Sequence, residues 1–223
     1  MPTLILSGGT GKNKESKLNS LFLKKVGKGK ILYIPIAMSS KRYPDCYKWI
    51  ISTLKKDVVM LTSFKEKVNL NNFKGIYIGG GNTFKLLKEI KEAKFENKLK
   101  KFKGIIYGGS AGAIIWGKDI STCSFGTLKD KNTVKLKNLK GFNLINYNIQ
   151  CHYNNGEKSL ILNHIKKTKT PIIALPEDSG ILVKNKSITP INKVYIFTNH
   201  LSNNPLSYPI SKNFSFKLFQ LVL

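Results

Sequence analysis

A serine between small residues forms the part of the chain with the clearest chemistry. Ser110 lies within Gly-Gly-Ser-Ala-Gly at 108–112, after the apolar run 104–107 and before the apolar run 113–116. A strand, a sharp turn and a helix in this order make a nucleophile elbow, because small neighbours tolerate strained backbone angles and the turn exposes the hydroxyl. The pattern therefore predicts that Ser110 is a nucleophile.

A serine hydroxyl needs a base that accepts its proton. The chain contains three histidines. His152 follows the strand-like run 147–150 and precedes a polar loop, whereas His164 falls inside a helix-like segment and His200 lies in a late polar stretch. We therefore assign the base to His152 and predict a structural or surface position for His164.

A third group must orient the base, and four carboxylates are candidates. These are Asp119, Asp130, Glu177 and Asp178. Asp130 lies in the polar segment between the nucleophile and the base, while Glu177 and Asp178 follow another strand-like run. Distance along the chain does not rank them, because the members of a triad meet in space.

The tetrahedral intermediate of acyl transfer needs two hydrogen-bond donors for its oxyanion. The N–H of Ala111, directly after the serine, is one candidate. Gly80 or Gly81 could supply the second, since a residue without a side chain lets the backbone approach a substrate closely. The alternative interpretation of this segment is a tight turn in which Asn82 or Thr83 caps a helix.

Strand-like and helix-like runs alternate along most of the chain, which is typical of a mainly parallel sheet covered on both faces. We therefore predict a three-layer α/β fold, and we expect the strand ends at 79–83, 108–112 and 151–155 to share one pocket. Strands are predicted at 3–7, 30–36, 58–61, 75–78, 104–107, 133–136, 147–150, 171–175, 181–183, 194–197 and 214–221. Helices are predicted at 14–25, 43–55, 113–116 and 156–167, with another from 84 onward.

The composition limits the class of protein. With 223 residues and no break in composition, residues 1–223 are expected to form a single domain. Three cysteines indicate a reducing compartment, no run is long enough for a membrane helix, and we expect a cytoplasmic protein. The net charge is +26, yet Arg42 is the only arginine among 38 basic residues, so nucleic-acid binding is not favoured. Lysines lining a pocket would favour acidic substrates.

The motifs in combination resemble one known family, peptidase E and its relatives, which include cyanophycinase. The resemblance extends from the first strand to about residue 183. The segments that carry it are Ile-Leu-Ser-Gly-Gly at 5–9, Leu-Tyr-Ile-Pro-Ile-Ala at 32–37, Ile-Tyr-Ile-Gly-Gly-Gly-Asn-Thr-Phe at 76–84, Gly-Ser-Ala-Gly-Ala at 109–113 and Cys-His-Tyr at 151–153.

This resemblance implies a fold similar to class I glutamine amidotransferases and hydrolysis of short peptides with an N-terminal Asp. Ser110 matches the family's nucleophile and His152 its base. The family's acid lies between them, and Asp130 is the best match by offset. Asn82 and Thr83 match a loop that lines the substrate site. The resemblance implies no metal or organic cofactor, a small peptide substrate, and a monomer or homodimer.

Two other functions stay open from the residues alone. A catalytically silent binding module on the same scaffold could be drawn to nucleic acid by its charge. Amidotransfer is less favoured, because the elbow carries Ser110 where amidotransferases have cysteine.

Overall fold

The computed structural model describes residues 1–10 and 14–198, together with the backbone of 206–210 and 216–217. His200 and most of the strand predicted at 214–221 lie outside the described residues. The strands are β1 (Thr3–Ser7), β2 (Ile31–Ile34), β3 (Val58–Met60), β4 (Gly75–Ile78), β5 (Ile105–Gly109), β6 (Asn148–Cys151), β7 (Ile172–Leu175), β8 (Gly180–Lys184), β9 (Ser187–Ile191), β10 (Val194–Thr198), β11 (Leu206–Ile210) and β12 (Phe216–Lys217). The α-helices are α1 (Ser16–Val26), α2 (Tyr43–Leu54), α3 (Thr83–Glu92), α4 (Glu96–Lys101), α5 (Ala111–Ile114) and α6 (Lys158–Thr168).

The larger sheet confirms the predicted α/β class. Its eight strands follow the order β12-β9-β8-β1-β5-β4-β2-β3. The neighbouring strands β1, β5, β4, β2 and β3 pair in parallel. Strands β8, β9 and β12 add an antiparallel extension beside β1. Parallel neighbours direct their carboxyl ends to the same edge, which is where ligands bind in such sheets.

Four of the strands after the elbow form a second sheet, ordered β11-β10-β7-β6. Strand β7 pairs in parallel with β6 and antiparallel with β10, so both of its edges are satisfied without joining the larger sheet. The two sheets meet where β1 and β7 end. The Asp178 N–H, after β7, donates to the carbonyl of Gly9 at 2.9 Å, and the His152 N–H, after β6, donates to the carbonyl of Gly8 at 2.8 Å.

Helices cover both faces of the larger sheet, as side chains along its central strands show. Ile106 of β5 packs in a buried cluster with side chains of α3 and α5, whereas its neighbours Ile105 and Tyr107 pack in a second cluster with Phe22 of α1 and Ile50 of α2. Successive strand residues point to opposite faces, so this alternation means that the sheet lies between two apolar layers.

The prediction of a strand at 133–136 is wrong. The Asn132 side chain accepts a hydrogen bond from the Leu136 N–H and donates one to the Leu136 carbonyl, both at 2.9 Å. Lys135 has a φ of 53°. Local hydrogen bonds from the Asn amide thus hold a turn, where an extended strand would need the same backbone groups for a ladder. The sequence interpretation also missed α4 and β9.

Candidate active site

Ser110 lies in the connection between β5 and α5, in a strained backbone conformation. Its φ is 48° and its ψ is −109°. The turn can be this tight because Gly108 and Gly112 lack side chains: a Cβ on Gly108 would lie 2.2 Å from the Gly112 carbonyl oxygen, and one on Gly112 would lie 2.4 Å from the Ile78 carbonyl oxygen. Strain of this kind persists only where the surrounding structure imposes it, and it is concentrated at functional sites.

His152 lies beside the serine although 42 residues separate them along the chain. Its Nε2 atom is 3.0 Å from Ser110 Oγ. The residue directly follows β6 and has a φ of 55°, which turns the ring back toward the carboxyl end of β5. The hydroxyl and the imidazole are thus at hydrogen-bond distance, as proton transfer requires.

The carboxylate that contacts the imidazole belongs to Glu177. Its Oε1 atom is 3.1 Å from His152 Nδ1. The expected contact between Asp130 and His152 is replaced by this one. Asp130 Oδ2 instead accepts the N–H of Thr83 at 2.9 Å, at the start of α3, where a negative charge is stabilised by the unsatisfied N–H groups of the helix.

The two remaining candidate carboxylates also have other partners. Asp119 accepts hydrogen bonds from the N–H and the hydroxyl of Ser121, the former at 2.8 Å. Asp178 accepts the N–H of Glu15 at 2.7 Å. Glu177 is therefore the one carboxylate among the four candidates with a hydrogen bond to His152 in the described residues.

Ala111 and Gly80, two of the three expected oxyanion donors, lie next to the serine. Ala111 is the first residue of α5, so its N–H has no acceptor within the helix. Gly80 packs against the elbow, because a Cβ there would lie 3.3 Å from the Cβ of Ser110. Gly81 has a φ of 131° and packs against the Ala37 carbonyl. Of the two glycines, Gly80 is therefore the one whose backbone lies against Ser110.

Asn82 and Thr83 lie at the start of α3, where Asn82 acts as the helix cap considered as the alternative interpretation. The Asn82 Oδ1 atom accepts the N–H of Lys85 at 2.9 Å, and its amide nitrogen donates to the Lys131 carbonyl at 2.8 Å. Thr83 is buried at the first position of α3. Asn82 therefore caps the helix and ties it to the loop that carries Asp130.

Sequence reasoning missed a buried network at the end of β1. The Ser7 hydroxyl donates to the carboxylate of Glu15 and accepts the N–H of Gly9 at 3.0 Å. The Glu15 side chain is 2% exposed, and burial raises the pKa of its carboxyl above the usual value. The network fixes the Gly9 backbone directly against the ring of His152. The Gly-Gly pair after the first strand was the signal in the sequence.

Replacing Gly9 by Ala should displace the imidazole. A Cβ at this position would lie 2.1 Å from His152 Cε1, and the φ of 117° is itself unfavourable for alanine. We expect hydrolysis by Gly9→Ala to fall at least about 100-fold, since misplacing a catalytic group by about 1 Å has an effect of this size.

The matched control for Gly9→Ala is Gly27→Ala. Gly27 also has a positive φ, of 57°, but a Cβ there meets nothing within 4 Å. Steady-state hydrolysis rates of both variants, with melting temperatures, separate strain alone from displacement of His152. Wild-type activity in Gly9→Ala would contradict the packing argument.

Two cavities open on either side of Ser110 and His152. The larger has a volume of about 460 Å³; its charged lining residues are Glu15, Arg42 and Asp45, and His152 also lines it. Its apolar wall is made by Tyr33, Met38, Trp49 and Tyr77. The smaller has a volume of about 240 Å³ and includes Asp130, Gln150, Phe125 and Leu128.

The sequence raised the possibility of a pocket lined by lysines, but the charged residues around these cavities are different. Among the described residues that line either cavity, the permanent cation is Arg42, and no lysine is present. The residues that the structure describes also contain no cluster of three or more His, Cys, Asp or Glu side chains suited to holding a metal ion. Within the same residues, no helix has the length and apolar character needed to span a membrane.

Comparisons with known proteins identify one family that the chain matches. The model of peptidase family S51 matches residues 3–191. A peptidase E of Nostoc sp. is 23% identical over 210 residues, which cover 85% of this chain and 83% of that protein. A peptidase E of Shewanella oneidensis is 24% identical over 206 residues, covering 83% and 84%. A crystal structure from Listeria monocytogenes, described as a candidate peptidase E, shares the fold with a TM-score of 0.68 at 23% identity, covering 86% of this chain and 98% of that one.

Proposed function

Because the chain belongs to peptidase family S51 and is a serine-type peptidase, we propose that it hydrolyses short peptides through Ser110, His152 and Glu177. The observation that carries this proposal is the continuous hydrogen-bonded series from Ser110 Oγ to His152 Nε2 at 3.0 Å and from His152 Nδ1 to Glu177 at 3.1 Å. A nucleophile, a base and an orienting carboxylate in this order form the arrangement that activates a serine.

In the first half of the reaction, Ser110 Oγ attacks the carbonyl carbon of the scissile bond while His152 Nε2 accepts the hydroxyl proton. The tetrahedral intermediate then collapses. The bond between carbon and nitrogen breaks, His152 gives the proton to the leaving amine, and an ester between the acyl group and Ser110 remains.

In the second half, a water molecule attacks the ester carbon and His152 accepts its proton. The same proton returns to Ser110 Oγ when the acid product leaves. Glu177 accepts the hydrogen bond from Nδ1–H throughout, which fixes the tautomer with Nε2 free and stabilises the imidazolium. Glu177 is thus a positioning residue, since it acts through His152.

The oxyanion is bound by the N–H of Ala111 and by a backbone N–H of Gly80 or Gly81. Supporting this assignment, Ala111 begins α5 and Gly80 packs against Ser110. Donors of this kind are fixed before the charge develops, and the loss of one costs about 3 to 4 kcal/mol in a comparable hydrolase.

The substrate preference proposed here is for an N-terminal Asp, held by Arg42. This guanidinium is the permanent cation among the described residues of both cavities, and it shares the larger cavity with Ser110. Its present partner is Asp45, with Arg42 Nε 3.6 Å from Asp45 Oδ2 and both side chains more than half exposed. A substrate carboxylate can therefore compete for Arg42, because an exposed ion pair is weak.

Hydrolysis of Asp-Leu and Ala-Leu by the purified chain tests both the proposed peptide hydrolysis and the proposed preference for an N-terminal Asp. We expect Asp-Leu to be cleaved about 10 to 100 times faster, the range for a hydrogen bond to a charged group. Arg42→Leu should remove this preference, whereas Lys41→Leu, the same loss of charge at the next residue, should keep it. If neither peptide is cleaved, peptide hydrolysis is refuted; equal rates would remove only the Asp preference.

We propose a cytoplasmic location because the cysteine thiols are free. Cys46, Cys123 and Cys151 are all free and buried. Three buried thiols with no disulfide are typical of proteins from reducing compartments.

A further inference from the structure

One face of helix α2 and of the residue before it lines the larger cavity. Four residues form this face, at spacings of three, four and seven from the first of them: Arg42, Asp45, Cys46 and Trp49. Residues at these spacings lie on one side of a helix. Among the described residues of α2, Tyr47 lies off this face. The helix therefore presents a charged pair at its start and an indole about two turns later to the same cavity.

Trp49 has aromatic surface that a ligand can cover. The chain has two tryptophans, of which Trp116 is fully buried in the core whereas Trp49 is 37% exposed. Trp49 also lines the cavity that contains Ser110 and His152. Removing apolar surface from water is favourable in proportion to its area. An apolar group bound against this indole would therefore be stabilised beside the catalytic serine.

Tyr77 connects the indole to the elbow. The rings of Trp49 and Tyr77 meet edge to face, with centroids 6.0 Å apart, and Tyr77 stacks on Tyr107 at 4.3 Å. The hydroxyl of Tyr77 reaches the residue before the nucleophile, because a Cβ on Gly109 would lie 4.0 Å from it. Trp49 is thus one aromatic ring away from the elbow, and buried aromatic contacts hold that ring in place.

The separation between Arg42 and Trp49 suits the two side chains of a dipeptide. A rise of 1.5 Å per residue places Trp49 about 10 Å beyond Arg42 along the helix axis. In an extended peptide, neighbouring side chains point in opposite directions, so an Asp at Arg42 directs the next side chain away from the guanidinium. The cavity volume of about 460 Å³ is within the range of pockets that enclose small organic ligands. Both side chains of a dipeptide can therefore lie in this cavity.

We infer that Trp49 is the specificity-determining residue of a subsite for a large apolar side chain, preferably aromatic, on the residue that follows the N-terminal Asp of the substrate. The inference rests on the proposed function, because it needs a peptide bound at Ser110. An aromatic side chain is preferred over an aliphatic one of similar size, since contacts between aromatic rings add to the burial of apolar area.

Dipeptides that differ only in their second residue test this subsite. The kcat/KM of the wild-type chain should be at least about tenfold higher for Asp-Phe than for Asp-Ala, with Asp-Leu between them. Asp-Lys tests whether the indole instead binds a cation. Equal values for Asp-Phe and Asp-Ala would overturn the inference, and so would a higher value for Asp-Lys than for Asp-Phe.

Two variants on α2 assign the preference to a residue. Trp49→Ala should lower the ratio of Asp-Phe to Asp-Ala hydrolysis below about threefold, because it removes the ring that the substrate side chain contacts. Tyr47→Ala is the matched control: Tyr47 is 36% exposed, nearly as much as Trp49, but lies off the cavity face, and this variant should keep the wild-type ratio. An unchanged ratio in Trp49→Ala would overturn the assignment. Should Trp49→Ala fail to fold, Trp49→Leu decides it, since a side chain without a ring should still reduce the ratio.

A second series separates this inference from the proposals that it builds on. Ala-Phe and Ala-Ala lack the group that Arg42 would bind, and their ratio should show the same dependence on Trp49. Hydrolysis of Asp-Leu with no effect of the second side chain in either series would refute the subsite alone. Absence of hydrolysis of all these peptides by the folded wild-type chain would count against the proposed peptidase function.

Discussion

Replacing Ser110 by Ala should lower peptide hydrolysis by on the order of 10⁶-fold, the effect measured when the serine of a comparable triad is removed. The substitution deletes the attacking oxygen and leaves His152 without the proton it would accept. Alanine adds no atom to a turn that already accepts a Cβ, so the fold should be retained. The measurement is the initial rate of Asp-Leu hydrolysis at high enzyme concentration, with circular dichroism as the check on folding.

A covalent probe tests directly whether Ser110 is the reactive nucleophile. A serine-reactive phosphonate should label the wild-type chain at Ser110, as located by peptide mass spectrometry, and Ser110→Ala should take up none. Ser121→Ala is the matched control. Ser121 also has a histidine neighbour, since its Oγ is 2.9 Å from His164 Nε2. The Ser121 hydroxyl donates its proton to Asp119, however, so His164 does not act as the acceptor of that proton. Hydrolysis by Ser110→Ala at more than about one hundredth of the wild-type rate would refute the assigned nucleophile.

Replacing Glu177 by Gln should have the second largest effect, a loss on the order of 10³ to 10⁴ in kcat. An amide at this position can present N–H to Nδ1, which favours the wrong tautomer of His152 and removes the charge that stabilises the imidazolium. Changing the corresponding acid of a comparable triad in this way lowers kcat about 10⁴-fold. Glu177→Asp keeps the charge and shortens the reach, and it should recover part of the lost rate.

Asp130→Asn is the control that separates the two candidate acids. An asparagine oxygen can still accept the Thr83 N–H, so the start of α3 should be preserved. We expect Ala-Leu hydrolysis by this variant to stay within about fivefold of wild type, since Asp130 has no hydrogen bond to His152 among the described residues. A larger loss in Asp130→Asn than in Glu177→Gln would reverse the assignment of the acid.

The local elements were predictable because each depends on residues close along the chain. Strand β1, strand β4 and the helix after the elbow are set by short apolar runs between glycines and polar residues. Ser110 was identifiable as a candidate nucleophile because a strained turn restricts its neighbours to small residues. His152 was identifiable for a related reason: few histidines exist in the chain, and this one follows a strand. The turn at Asn132 was missed because side-chain hydrogen bonds outweigh the apolar alternation at 133–136.

The sequence by itself determined the α/β class, the elbow at Ser110 and the base candidate His152, because periodicity, glycine placement and residue type act over a few neighbouring positions. Only the tertiary structure decided which carboxylate contacts the imidazole. Glu177 follows β7, and the pairing of β7 with β6 brings the ends of both strands together, whereas Asp130 is drawn to the start of α3. The same holds for Gly9, whose contact with His152 joins segments far apart along the chain, and such a contact depends on strand order rather than on local pattern.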